Sequence, residues 1–147
     1  MTGSDSRRSD PAGALTDPSY WDGFWSDHRL PWVVRRRGFL IPAIAAFLDL
    51  QIDPSAGRRF LEVGCGASPW MPYFAQEFGM EVTGIDSSPR GVELCRANLE
   101  YLGVSGEVRE EDLFDLAEAG KECWDVVLSL GLIEHFEDPC RFLAAQY

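Results

Sequence analysis

The spacing of apolar residues changes character partway along the chain. Up to about residue 50 it follows a helical period. Tyr20, Trp21, Phe24 and Trp25 fall at offsets of one, four and five, which places two adjacent ring pairs on one stripe facing something apolar. Asp17-Pro18 opens this helix, the Asp as a cap for free amides and the Pro with a helical φ already set. Leu30-Pro31-Trp32 breaks it, and a second helix is expected over 40–50 with Leu40, Ile44, Phe47 and Leu48 on one face and Pro42 tolerated in the first turn. From Arg59 the period shortens. Phe60, Leu61 and Val63 form a short apolar run ending in glycines, the mark of a buried parallel strand that feeds a tight turn.

The remaining punctuation is regular. Ser68-Pro69 starts a helix that Gly79 ends, and residues 81–85 read as a second strand. Ser88-Pro89 opens a helix buried along Val92, Cys95, Leu99 and Leu102 and stopped by Gly103. Charged residues 107–110 make a weak third strand, 124–130 a clean fourth, and Asp138-Pro139 begins one more helix. Strands alternating with helices of this length mean βαβ units and a parallel sheet covered on both faces, an α/β fold.

Residues 139–147 leave room for about two helical turns and no further strand. The expectation is a domain truncated after its fourth strand, or half of a split one, with an apolar fourth-strand edge open to association. The organisation expected is a disordered tail over 1–16, an N-terminal helical cap over 17–57 and a partial sheet domain over 58–147. No internal repeat is visible.

Composition narrows the partners. With 46% apolar residues in 147, one core is well supplied. Thirteen Lys and Arg against 24 Asp and Glu give a net charge of −11, which repels phosphate backbones and anionic lipid and so disfavours nucleic acid. The four cysteines, Cys65, Cys95, Cys123 and Cys140, form no CxxC pair and have no histidines at zinc-site spacing. Reduced thiols, no signal-like start and no run long enough to span a bilayer point to a soluble, cytoplasmic protein without metal.

Candidate chemistry gathers at the ends of the strands. Leu61-Glu62-Val63-Gly64-Cys65-Gly66 turns the first strand into its helix, with Gly64 and Gly66 allowing a bend and a close ligand approach. Pro69 stands where a dinucleotide fold prefers a third glycine, and Glu62 sets negative charge beside the loop, so a diphosphate loses ground. Asp86, with Ser87 after it, ends the second strand where a carboxylate can accept from both hydroxyls of a ribose, a placement shared with NAD sites. Glu111-Asp112-Leu113 follows the third strand: Asp112 can pair with an exocyclic amine and Leu113 can cover a base. Ser129 to Phe136 follows the fourth.

LEVGCGAS, VTGIDSSP, EEDLFDL and WDVVLSLGLIEHFEDP together resemble the successive motifs of class I S-adenosylmethionine-dependent methyltransferases, over roughly residues 58 to 145. The resemblance implies a Rossmann-like, doubly wound parallel sheet of strand order 3-2-1-4 under N-terminal cap helices. It implies that Glu62, Gly64, Cys65 through its backbone, and Gly66 surround the methionine part of S-adenosylmethionine. Asp86 would hold the ribose, with Ser87 beside it also among the donor-binding residues; Asp112 and Leu113 would face adenine, and Ser129 and Leu130 would line the pocket near the sulfonium. The Asn/Asp-Pro-Pro-Tyr/Phe pattern of base and amide methylases is missing, Ser129-Leu130-Gly131-Leu132 standing in its place. That favours a small-molecule O, N or C acceptor.

Glu134 and His135 are the candidates for a general base, with His28 behind them. A lone His after a strand is more often a packing or orienting residue, and no catalytic residue is assigned. Two other readings stand beside a methyltransferase: a non-catalytic donor-binding module or subunit needing another chain, or a homo-oligomer, to complete the sheet, and an NAD-binding oxidoreductase resting on the glycines and Asp86. The run Arg35-Arg36-Arg37 is the one basic cluster of an acidic chain; it suits an anionic acceptor, an acidic partner or water.

Overall fold

The structure, a computed structural model, describes residues 14–16, 18–35, 37–53, 58–119 and 123–147. Asp17 and most of the expected tail, residues 1–13, lie outside the described residues. Residues 14–16, expected in that tail, are engaged. Ala14 forms an antiparallel bridge with Phe136, and Leu15 N donates to the His135 carbonyl at 2.7 Å.

Four strands, β1 (Arg59–Val63), β2 (Glu81–Asp86), β3 (Glu107–Glu110) and β4 (Val126–Ser129), form one parallel sheet of order β3-β2-β1-β4. Helices α1 (Pro18–Trp25) and α2 (Leu40–Gln51) precede it. Helices α3 (Trp70–Phe78), α4 (Pro89–Leu102), α5 (Leu113–Ala119) and α6 (Pro139–Ala144) alternate with or follow the strands, and a single 3-10 turn covers Ile133–His135. This is the sheet order expected from the sequence.

Strand side chains alternate, so each strand feeds two cores. Phe60, Val82 and Val108 join Met71, Phe74 and Cys95 on one face, where the Phe60 and Phe74 rings stack at 4.1 Å. Leu61, Val63 and Ile85 join Leu113 and Phe142 on the other. Two starts differ from expectation by a residue or two. Helix α3 begins at Trp70, yet Ser68 still supplies the cap: its Oγ accepts from Trp70 N at 2.8 Å and Met71 N at 3.3 Å. Strand β4 begins at Val126, just after Asp125, which meets β1 through both backbone and side chain: its N donates to the Arg59 carbonyl at 2.9 Å and its Oδ2 accepts from Arg59 N at 2.8 Å.

Helix α2 is rotated from the expected face. Ala45 is fully buried, and Ile41, Ile44, Leu48 and Ile52 pack with it, whereas Leu40 and Phe47 are exposed. The buried stripe of α2 centres on Ala45.

Candidate active site

In a parallel sheet flanked by helices, the carboxyl ends of neighbouring strands and the turns beyond them share one edge, where ligands bind. At β1 the chain turns through Gly64 (φ 71°) and Gly66 (φ 39°), left-handed conformations that glycine adopts without penalty. Gly64 N and Cys65 N both donate to the Ile85 carbonyl, at 2.8 and 3.0 Å, binding the turn to β2. Both glycines are closely approached by side chains. A Cβ at Gly64 would stand 2.9 Å from Leu132 Cδ2, and one at Gly66 would stand 2.0 Å from the Trp25 indole.

Asp86, at the end of β2, holds this loop from below. Its Oδ2 accepts from Gly66 N at 2.7 Å and its Oδ1 from Ser88 N at 2.8 Å. Burial pushes its carboxyl above the usual range and Asp22 adds to this, while the two backbone donors pull the other way. Glu62 lies beneath the loop, accepting a hydrogen bond from Ser68 Oγ. Burial drives its pKa up to about 8, with a smaller push from Asp86 and opposition from Ser68. The Cys65 thiol is also pushed well up, first by hydrogen bonding with Cys95 and then by burial, the reverse of an activated nucleophile.

Past β3, Asp112 Oδ1 accepts from Phe114 N at 2.7 Å and so caps α5. The neighbouring Glu111 presents a buried oxygen, Oε2, that accepts no hydrogen bond and stands 3.6 Å from the Arg109 guanidinium. Past β4, Gly131 (φ 67°) turns the chain so that Leu132 reaches Gly64. Ser129 Oγ donates instead to Gln146 Oε1, at 3.3 Å.

Helix α1 covers these strand ends and is fastened on both sides. Asp22 Oδ1 accepts from Ser88 Oγ at 2.6 Å and from Arg90 N at 3.2 Å, at the start of α4. On the other side the Trp21 ring meets His135 edge-on at 4.8 Å, and His135 Nδ1 is hydrogen-bonded to Thr16 Oγ1 at 2.8 Å. The His therefore has an orienting partner and an aromatic neighbour.

Between α1 and the strand ends lies a cavity of about 410 Å³. Of the residues singled out from the sequence, Gly64, Asp86, Ser87, Asp112, Leu113, Leu130 and His135 line it. Glu62, Cys65, Gly66, Ser129 and Glu134 do not: Glu62 and Cys65 are buried in the fold, Trp25 covers Gly66, and Ser129 faces Gln146. The sequence reading missed Asp22 and Leu132. Their signals are weak, an acid inside an aromatic helix and a Leu one residue past a glycine. All four α1 aromatics line the cavity, Trp21 and Trp25 half-buried and Tyr20 and Phe24 more exposed. Among the described residues there is no cluster of His, Cys, Asp and Glu that could hold a metal ion, and no helix long and apolar enough to cross a membrane.

Comparison with known proteins agrees with this architecture. The methyltransferase domain family matches residues 60–146. The ubiquinone biosynthesis O-methyltransferase of Cereibacter sphaeroides is 34% identical over 113 residues, 75% of this chain and 45% of that protein. Its namesake in Ruegeria pomeroyi is 35% identical over 115 residues, 76% of this chain and 46% of that one. The chain thus spans under half the length of these relatives.

A structure solved in work on the conversion of a disulfide bond into a thioacetal group during echinomycin biosynthesis superposes with a TM-score of 0.58 at 28% identity, covering 71% of this chain and 42% of that one. A methyltransferase from Thiobacillus denitrificans, in complex with S-adenosyl-L-homocysteine, shares the fold at TM-score 0.55 and 24% identity, over 80% of this chain and 44% of that one. With more than half of its length matched, and its four strand-end segments gathered in the order of the sequence motifs, the chain belongs to the class I S-adenosylmethionine-dependent methyltransferase family.

Proposed function

We propose that the cavity under α1 binds S-adenosylmethionine and that the protein transfers its methyl group to a small-molecule nucleophile. The observation that carries this reading is the meeting of all four strand ends in one cavity closed by an aromatic helix. Relatives named as O-methyltransferases favour an oxygen acceptor.

The polar groups present suit the donor. Asp86, Glu111 and Asp112 bring three carboxyl groups to the cavity wall, acceptors suited to the hydroxyl and amine groups of the donor. Asp86 and Ser87 at β2 would serve the ribose, Asp112 and Leu113 the base, and Gly64 and Leu130 the remainder. Glu62, Cys65 and Gly66 would act from behind, by shaping the loop, and Ser129 by shaping the turn. Bound there, the donor supplies a methyl group activated by a positive sulfur.

The chain's own work is to position and to exclude water. Trp21, Phe24 and Trp25 form an apolar wall over the strand ends, and the two ties of Asp22 hold that wall in register. His135, lining the cavity with its ring fixed by Thr16, is the better-placed proton acceptor for a hydroxyl of high pKa; Glu134 lies outside the cavity wall. In this reading 58–147 is the donor-binding part and 17–57 its cap. The transfer needs no metal, and the place of action is the cytoplasm.

Calorimetric titration with S-adenosylhomocysteine and, separately, NAD tests the reading. Binding of the first alone, weakened in Asp86→Asn and in Asp86→Ala, is expected. Circular dichroism guards against unfolding, because Asp86 accepts two backbone hydrogen bonds. Tighter binding of NAD, or no binding by a folded protein, would reject it. One observation favours a second reading, a donor-binding subunit completed by another chain: among the described residues β4 is paired on one side only. A strict monomer by light scattering across concentrations would rule out self-association there.

A further inference from the structure

A second concavity, of about 500 Å³, lies outside the donor site and shares no lining residue with it. Its walls come from the irregular segment between α1 and α2, the start of α2 at Ile41, and Pro69 before α3. In a chain of net charge −11, four of the thirteen cationic side chains fall within residues 29–37. Three of them, Arg29, Arg35 and Arg37, line this groove, against one carboxylate, Asp27. Among the described residues, none of the three guanidiniums is within salt-bridge distance of a carboxylate. All three are exposed, and a groove lined by three guanidiniums and one carboxylate presents net positive charge to an incoming anion.

The groove also has a flat floor. The His28 imidazole stacks on the Trp32 indole at 4.8 Å with 14° between the planes. The Trp32 backbone is buckled down by Asn98, a fully buried amide: Trp32 N donates to Asn98 Oδ1 at 2.8 Å, and Asn98 Nδ2 donates to the Trp32 carbonyl at 2.8 Å. The same amide donates to the Ser68 carbonyl at 3.0 Å, so the floor is bolted to the loop that precedes α3. A segment without secondary structure is thereby held as a fixed surface, with Val33 and Ile41 adding apolar wall. Guanidinium forks match the geometry of carboxylate and phosphate oxygens, and stacked rings take a planar body.

We propose that this groove is a binding site for a small planar acid, an aromatic or heteroaromatic ring bearing a carboxylate or a phosphate. The acidic group sits among Arg29, Arg35 and Arg37, and the ring lies against the His28–Trp32 stack. The site stands independently of the donor reading, because none of its groups takes part in the cavity under α1.

The test is a nuclear magnetic resonance titration of the protein that follows the Trp32 indole N–H, assigned through Trp32→Phe. The probes are phenyl phosphate, benzoate and the uncharged benzyl alcohol. Saturable shifts are expected for one or both anions, and the stronger of the two identifies the acidic group. Benzyl alcohol should bind at least tenfold more weakly. In the double variant Arg35→Gln/Arg37→Gln the anion should also bind at least tenfold more weakly, with the thermal midpoint and S-adenosylhomocysteine titration unchanged, since both side chains are exposed. No saturable shift with either anion, equal affinity for benzyl alcohol, or undiminished affinity in the double variant would overturn the proposal.

Discussion

The indole of Trp25 rests on the backbone of Gly66, so close that a Cβ on the glycine would stand 2.0 Å from the ring. The second glycine of the turn after β1 therefore seats the cap helix, and the turn and α1 form one packed unit. A methyl group at 66 meets two penalties: the ring overlap and a left-handed φ of 39°. Gly66→Ala should destabilise the protein by about 2–4 kcal/mol, the sum of overpacking and an unfavourable backbone region. In a Trp25→Ala background only the backbone part should remain. A urea-unfolding double-mutant cycle should thus return a coupling above about 1 kcal/mol, and strictly additive effects would contradict the contact.

The other fastening of α1 is electrostatic. Asp22 accepts from Ser88 Oγ and Arg90 N at the start of α4, where free amides favour negative charge. Asp22→Ala should cost about 1 kcal/mol and loosen α1, seen as faster proteolysis between residues 18 and 30. Asp22→Asn, which keeps an acceptor, should lose less. Equal protease resistance in Asp22→Ala and the parent would mean that the aromatic contacts alone hold the helix.

Much of this was readable because it is local. Ser-Pro, Asp-Pro and Gly punctuation marked α3, α4 and α6, whereas α5, opened by Asp112 with no proline after it, is not read from the sequence; parallel strands put their turns on one edge whatever their exact bounds. What the sequence hid depends on distant partners. Asp22 meets Ser88, and Trp32 meets Asn98, across separations of 66 residues each. The rotated face of α2 depends on the core cluster in which Ala45 is buried. The position of Glu62 was legible in principle: two residues from Phe60 on an alternating strand, it shares the face packed by α3 and leaves the cavity to its neighbours.

Asn98 offers a sharper test of the segment between the cap helices. It sits on the buried face of α4 beside Cys95 and Leu99, and its amide answers three backbone groups, two on Trp32 and one on Ser68. Asn98→Ala should destabilise the fold by about 2–3 kcal/mol, since buried backbone groups lose their partners. Asn98→Asp should be worse. It keeps the acceptor for Trp32 N but turns a charged oxygen toward the two carbonyls that the amide N–H groups served. Chemical denaturation in the order parent, Ala, Asp is the expected ranking, and an Asp variant as stable as the parent would refute the assigned hydrogen bonds.

Glu62 predicts a pH dependence of known sign. Its carboxyl, ordinarily titrating at 4.5, holds its proton to about 8 in the folded chain because burial disfavours the anion. At low pH both states are protonated and the group has no effect. As pH rises past 4.5 the unfolded chain releases the proton first, so folding loses about 1.4 kcal/mol per pH unit until the folded group also ionises. Asp86, raised for the same reason, pushes in the same direction. Glu62→Gln keeps an acceptor for Ser68 and removes the titration. Its stability relative to the parent should therefore climb steadily between pH 4.5 and 8 and level off above that. Urea midpoints for both proteins across this range decide the matter: curves that run parallel would mean Glu62 is ionised in the fold at neutral pH, and that the loop above it is held by a charge rather than a proton.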